Sequence, residues 1–203
     1  MRIIISRLVQ QVATQPTADT VDVSLSTSVI LITLHNGESF QTCAELLPTA
    51  GVNQVFGLLD LVRAYNGKTD VAKLNIDLRV DIDELLPIID TAEYLGLVSV
   101  QQGDISLTDL GMKALTARMI ERKKIIRDQL QPLEPFSDIA NLLKEKKELS
   151  RIDLGRFVDR KFEHGSDLGR SVRLIISWGV FSGIFDYDGE SGKLIPKTAV
   201  GPS

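Results

Sequence analysis

From Asn53 onward the apolar positions recur three and four residues apart. Val55, Leu58, Leu59 and Val62 fall on one face of a helix, and Gly67 ends it after Tyr65–Asn66. Asp70 is placed to cap a short helix over Val71 to Leu74. A third helix is predicted over Asp81 to Leu95, with Leu85, Ile88, Ile89 and Ala92 inward. Asp83 and Glu84 in its first turn suit the positive end of the helix dipole. Pro87 lacks an N–H and moves the expected start toward Glu84. After Gly96 the helical period stops. Leu97 to Gln101 and Ile105 to Leu107 then read as a hairpin around Gly103, and Thr108 caps a long helix reaching about Gln129.

The same order returns with different residues. Phe136 to Lys144 is predicted helical with Ile139, Leu142 and Leu143 inward, and Ile152 to Phe162 with Leu154, Phe157 and Val158 inward. Ser166 to Trp178 follows with Leu168, Val172, Ile175 and Ile176 on one face. Phe185 to Tyr187 and Leu194–Ile195 bracket a Gly-rich turn, Asp188 to Gly192. Three helices and a two-stranded wing make a winged helix. The expected fold is therefore mainly α with small β hairpins: tandem winged-helix-like units joined by the long helix, with a short N-terminal β-rich extension. The expected boundaries are an extension over 1–52, a first unit with the long helix over 53–130, and a second unit with a tail over 131–203. Gln131 to Pro135 form the break between units.

The extension has another texture. Val21 to Leu25 alternates apolar and polar, Thr27 to Leu34 is β-branched and apolar, and Asn36–Gly37 suits a type I′ turn. A hairpin is predicted there. Ala13 to Thr20, with Pro16, reads as a linker.

Several stretches together carry a family resemblance. They are Asp83–Glu84–Leu85–Leu86–Pro87–Ile88, Leu95–Gly96–Leu97, and Gly103–Asp104–Ile105 with Leu107–Thr108 and Leu110–Gly111. Glu121–Arg122–Lys123 follow, then Trp178–Gly179 with Ile184–Phe185–Asp186–Tyr187–Asp188. From about Asn53 to Ile195 the chain resembles the C-terminal AAA-associated domain of ABC transporter ATPase subunits of the nitrate/sulfonate/bicarbonate importer group. It departs at Val180 to Gly183, where the family often has a basic and aromatic pair. The N-terminal fifty residues do not resemble the ATPase domain that normally precedes this module. The resemblance implies association with ABC transporter ATPase or permease subunits as a regulatory or assembly domain, and carries ATP hydrolysis onto no residue here.

Composition fits this picture. With 203 residues, 25% of them charged, and a net charge of −4, the chain has an ordinary globular balance and no overall basic excess for nucleic acid. The lone Cys43 cannot form an internal disulfide, and no apolar run is long enough to span a bilayer. Arg2 before Ile3, Ile4 and Ile5 starts like a signal peptide, but the apolar part stops at Ser6–Arg7. The expected location is cytoplasmic, or peripheral at the inner membrane face through a transporter.

No catalytic constellation emerges, and no cofactor or metal is expected. The nearest approach to a phosphate loop, Gly165 to Ser171, has Arg170 where a Lys is needed and the wrong glycine spacing. His35 and His164 lack partners at zinc-ligand spacing. Asp186, Asp188 and Glu190 begin like a calcium loop, yet Ser191 and Lys197 stand where Gly and Glu are required. Trp178 reads as a core plug beneath the wing, with a ligand or partner contact as the alternative.

Charge separates the two units. Over Asp70 to Gly96, Lys73 and Arg79 face Asp70, Asp77, Asp81, Asp83, Glu84, Asp90 and Glu93, a balance that phosphates would repel. The second half carries many Lys and Arg interleaved with carboxylates, which as a whole reads as a solvated surface. Arg170 and Arg173 on the third helix of the second unit, with Arg122, Lys123 and Lys124 on the long helix, are the candidate contacts for nucleic acid or a protein partner. The expected function is a non-catalytic accessory domain acting through protein contacts. The alternative is a winged-helix DNA-binding transcriptional regulator. A homodimer through Leu115, Met119 and Ile126 is a further expectation, with packing between the two units as the other use of that stripe.

Overall fold

Short side-chain caps mark the start of five of the eight described helices of this chain. The computed structural model describes residues 21–26, 29–34, 39–42, 48–162 and 167–197. The chain divides into two compact units, Met1–Leu46 and Leu47–Ser203. In the first, β1 (Val21–Ser26), β2 (Val29–Leu34) and β3 (Ser39–Thr42) form an antiparallel sheet in that order. Leu25 lies opposite Ile30, and Thr33 opposite Ser39. The Asn36–Gly37 turn, the Ala13 to Thr20 linker, His35, Cys43 and His164 lie outside the described residues.

The second unit holds eight helices among the described residues, with two small antiparallel sheets. It opens with α1 (Val52–Ala64), β4 (Lys68–Asp70), α2 (Val71–Leu78), α3 (Ile82–Tyr94), β5 (Val98–Gln101) and β6 (Asp104–Leu107). Two helices follow, α4 (Asp109–Thr116) and α5 (Met119–Leu130). The opening order then recurs as α6 (Phe136–Lys146), β7 (Leu149–Ser150), α7 (Arg151–Lys161), α8 (Leu168–Ser182), β8 (Phe185–Asp188) and β9 (Lys193–Pro196). Strand order recurs too, β4-β6-β5 and then β7-β9-β8. Even a bond between elements repeats. The Val71 amide donates to the Gly103 carbonyl and the Arg151 amide to the Gly192 carbonyl, both at 2.9 Å. Each ties the first residue of a helix to the tip of its hairpin.

Asp70 accepts the Lys73 amide (3.0 Å), Asp81 the Asp83 amide (3.1 Å), and Thr108 the Gly111 amide (2.9 Å). Ser150 accepts from Asp153 (3.1 Å) and Asp167 from Arg170 (2.8 Å). Each bond satisfies an amide that a helix start leaves without a partner. The core is apolar and continuous in type. Val55, Leu59, Val62, Leu85, Ile89 and Ile105 are buried in the first repeat, and Leu154, Val158, Ile175, Trp178, Phe185 and Leu194 in the second.

Four expectations need correction. The long helix from Thr108 to Gln129 is two helices. The chain leaves helical geometry at Ala117, with φ −66° and ψ 151°. The cause is tertiary: the Arg122 guanidinium turns back onto the freed carbonyls of Ala114 (3.0 Å) and Leu115 (2.7 Å), while lying over the Phe56 ring at 4.7 Å. The third helix starts at Ile82 rather than near Glu84, because the Asp81 cap holds its first turn and Pro87 is accommodated inside. The short helix after Asp70 runs on to Leu78 and stops at Arg79, whose φ is 53°. The last helix continues past Trp178 to Ser182 and ends at Gly183, whose φ of 69° is a left-handed conformation that glycine adopts without steric cost.

Gly179 lies within that helix for another reason. A Cβ there would stand 2.0 Å from Cζ of Phe185, so only glycine lets the β8 ring close onto α8. Gly57, also helical, has open space around it. Gly179→Ala is expected to destabilise the fold by about 3 kcal/mol through overpacking. Gly57→Ala is expected to stabilise it by about 0.5–1 kcal/mol. Urea unfolding of both variants checks the pair of signs.

Candidate functional site

The candidate surfaces lie on the second unit, and the contacts that clasp its helices together come first. The segment before α1 touches both repeats. Thr91 Oγ1, on α3, accepts the amides of Thr49 and Ala50, both at 3.1 Å, and donates to the Pro87 carbonyl at 2.8 Å. The Ala50 carbonyl accepts the indole N–H of Trp178, on α8, at 2.8 Å. Trp178 is fully buried and packs edge-on against Phe181, which in turn meets Phe56 of α1 at 5.9 Å. Trp178 thus has the core role that its position in the sequence suggested.

Helix α5 fastens the repeats from another direction. Arg127 donates from Nε to the Ser182 carbonyl at 2.8 Å, capping the end of α8, as Arg122 caps the end of α4. Positive charge at a helix C-terminus is favourable both as a hydrogen-bond donor and toward the dipole. The candidate residue Arg122 is half-buried, with its Nε and Nη2 donating inside the fold. Leu115 and Ile126 of the proposed dimer stripe are buried within the chain itself, while Met119 is 54% exposed.

The other candidates face outward. Lys123 and Lys124 are exposed on α5, and Arg170 and Arg173 on α8. Arg170 reaches the Thr49 carbonyl at 3.4 Å, and Arg173 lies 3.8 Å from the Asp167 carboxylate. The five candidates therefore fall into a structural residue, an exposed pair on α5 and an exposed pair on α8. At the second hairpin tip, Asp188 accepts the Ser191 hydroxyl (2.5 Å) and the Glu190 amide (3.0 Å). The Ser191 hydrogen bond, with the Glu190 amide behind it, holds the Asp188 carboxyl below the usual carboxylate range. Its oxygens are engaged in closing the turn.

Lys161 joins α7 to the start of α6. Its ammonium meets Glu134 at 2.8 Å and Asp138 at 2.5 Å. Partial desolvation opposes the charge there, yet the two carboxylates outweigh it and raise the Lys161 pKa above its ordinary value. Tyr94 donates to the Glu134 carbonyl at 3.4 Å, and burial, aided by the Glu134 charge, pushes its phenol well above the usual range.

Two exposed apolar patches were absent from the sequence reading. One is the turn between α2 and α3, where Ile76, Leu78 and Ile82 are 71%, 40% and 37% exposed. The other is the α4–α5 break, where Met112, Met119 and Ile120 are 38%, 54% and 85% exposed. The sequence hinted at the first in Ile76 alone, which falls off the face of Leu74, whereas Leu78 lies one turn on along that face. Met119 of the second was read only as part of an apolar stripe with Leu115 and Ile126. Among the described residues, no helix is long and apolar enough to cross a membrane, and no cluster of His, Cys, Asp and Glu is placed to hold a metal ion.

Thr91→Val keeps the shape but leaves two amides without an acceptor, and is expected to cost about 1–3 kcal/mol in urea unfolding, with Thr91→Ser close to wild type. Arg122→Met is expected to cost about 2–3 kcal/mol through two lost carbonyl contacts and the lost ring contact. Lys123→Ala and Lys124→Ala should each stay within about 0.5 kcal/mol. The contrast in melting temperature separates the inward arginine from its exposed neighbours.

Comparison with known proteins follows the same stretch of chain. No curated protein matches it. Residues 72–188, more than half of the 203, match the model of the family described as the C-terminal AAA-associated domain. That interval contains the acidic turn, the α4–α5 break, both exposed basic pairs and Trp178. The chain therefore belongs to the C-terminal AAA-associated domain family.

Proposed function

We propose that this chain is a non-catalytic accessory module that acts through protein contacts beside an ABC transporter ATP-binding subunit of the nitrate/sulfonate/bicarbonate type. The observation that carries the reading is the family match over 72–188. The architecture supports it: each repeat of helix, helix, helix and hairpin reads as a winged helix, and the pair is fixed by the Thr91 and Trp178 contacts. A compact unit with exposed apolar and charged patches suits docking more than chemistry. In this reading the module works at the cytoplasmic face of the membrane, reached through the transporter, and hydrolysis of ATP belongs to the associated subunit.

One observation favours a second reading, a winged-helix regulator that binds DNA. Arg170 and Arg173 project from α8, the third helix of the second repeat, where such a domain carries its recognition residues. Asp167 beside them and the acidic stretch of the first repeat weigh against it.

The two readings part in one experiment. The tagged full chain is purified from its native cells and the accompanying proteins are identified by mass spectrometry. Recovery of an ABC ATP-binding or permease subunit is expected. Absence of every transporter component would sink the accessory reading. Salt-dependent DNA binding lost in Arg170→Ala with Arg173→Ala would put the regulator in its place.

A further inference from the structure

The two exposed apolar patches carry opposite charge. Around Ile76, Leu78 and Ile82 stand Asp77, Asp81, Asp83 and Glu84, against Arg79 as the single cation of that turn. Around Met112, Met119 and Ile120 stand Lys113, Arg118, Lys123 and Lys124, with Glu121 the single carboxylate from Met112 to Lys124. Among the described residues, none of those four cations is in an ion pair.

Each patch is also built to stand out. Asp81 caps α3 from the turn, and Ile76, Leu78 and Ile82 on either side of that turn stay exposed. At the other patch, Arg122 holds the α4–α5 break closed from inside, and the helix start at Met119 and Ile120 faces solvent. Both patches therefore combine a small apolar centre with a charged border in which one sign predominates. That is the composition of two complementary halves of an interface.

We infer that these patches meet between two copies of this chain: the acidic turn of one copy seats on the basic α4–α5 break of the other, and reciprocally. Charge complementarity identifies the occupant, because each copy presents both signs. Reciprocity doubles the contact in a closed two-fold pair, since residues of the first patch on either copy face those of the second on its partner. Doubling matters because a stable interface buries about 1,600 Å² in total, more than one patch with three apolar side chains supplies. The charged borders set the register and keep acidic from acidic and basic from basic. This surface concerns copies of the chain and goes beyond the accessory role proposed above.

The test uses the full chain in sedimentation equilibrium. Twice the monomer mass is expected at low ionic strength, with at least about tenfold weaker association near 0.5 M salt, where screening reaches within a few ångströms. One variant carries Asp83→Lys and Glu84→Lys, and another carries Lys123→Glu and Lys124→Glu. Each alone is expected to be monomeric at concentrations where wild type is dimeric, and an equimolar mixture of the two is expected to dimerise. In the mixture the reversed residues of each variant again face opposite charge, so rescue also shows that both variants are folded. Ile120→Asp should weaken the wild-type pair at least about tenfold with its circular dichroism unchanged.

Three results would overturn the inference. One is a wild-type chain that stays monomeric up to high micromolar concentration. Another is a dimer indifferent to both charge reversals. The third is a monomer that sediments with anionic phospholipid vesicles and releases on Lys123→Glu with Lys124→Glu, which would give the basic patch to a membrane surface. Recovery of a transporter subunit with a monomeric chain would overturn this inference and leave the accessory reading standing.

Discussion

The arrangement of the second unit depends on a single hydroxyl. Thr91 Oγ1 takes two backbone amides from Thr49–Ala50 and gives its own proton to the Pro87 carbonyl. Its hydrogen-bonding capacity is thereby filled in a place that water does not reach, since Thr91 is buried. Ala50 then passes its carbonyl to Trp178 on the other repeat. Two amino acids of otherwise featureless chain satisfy polar groups on α3 and α8 at once. Without the hydroxyl, the two amides would be desolvated for nothing, and the penalty for that exceeds the gain from one ordinary hydrogen bond.

The arginines of α5 solve the complementary problem at helix ends. A helix leaves its last carbonyls without partners, and Ala114 and Leu115 near the end of α4 and Ser182 at the end of α8 are buried. Arg122 and Arg127, five positions apart, serve one end each. The same residue choice decides what is left outside. With Arg122 and Arg127 turned inward, Lys123 and Lys124 are the cations of α5 left exposed, beside Met119, Ile120, Glu121 and Asp128.

Local pattern was legible where local physics decided it. The spacing of Val55, Leu58, Leu59 and Val62, the caps at Asp70 and Thr108, and the hairpin around Gly103 all appear where the sequence put them. The family too could be read from scattered short stretches. What the sequence hid was decided at a distance. Nothing local in Thr116–Ala117–Arg118 breaks a helix; the break is held by a guanidinium four residues on and a ring in α1. The helix predicted to end at Trp178 runs on through Gly179, which serves the Phe185 ring, and stops at Gly183. The strands Lys68–Asp70 and Leu149–Ser150 are too short to carry a period and exist only as partners of β6 and β9. Of the candidate contacts, Arg122 could not be told from Lys123 and Lys124 by type or spacing. Only the carbonyls it reaches distinguish it.

The clasp also has a bearing on where this module can be cut. The stretch that matches the family, 72–188, begins inside α2 and ends at the last residue of β8. An excision at those limits discards Thr49 and Ala50, all of α1 with its buried Val55, Leu59 and Val62, and β9, the middle strand of its sheet. Thr91 and Trp178 would remain on the fragment with their partners removed. The region by which the family is recognised and the segment able to exist as an independent body are thus different intervals of the same chain, and the second is the longer at both ends.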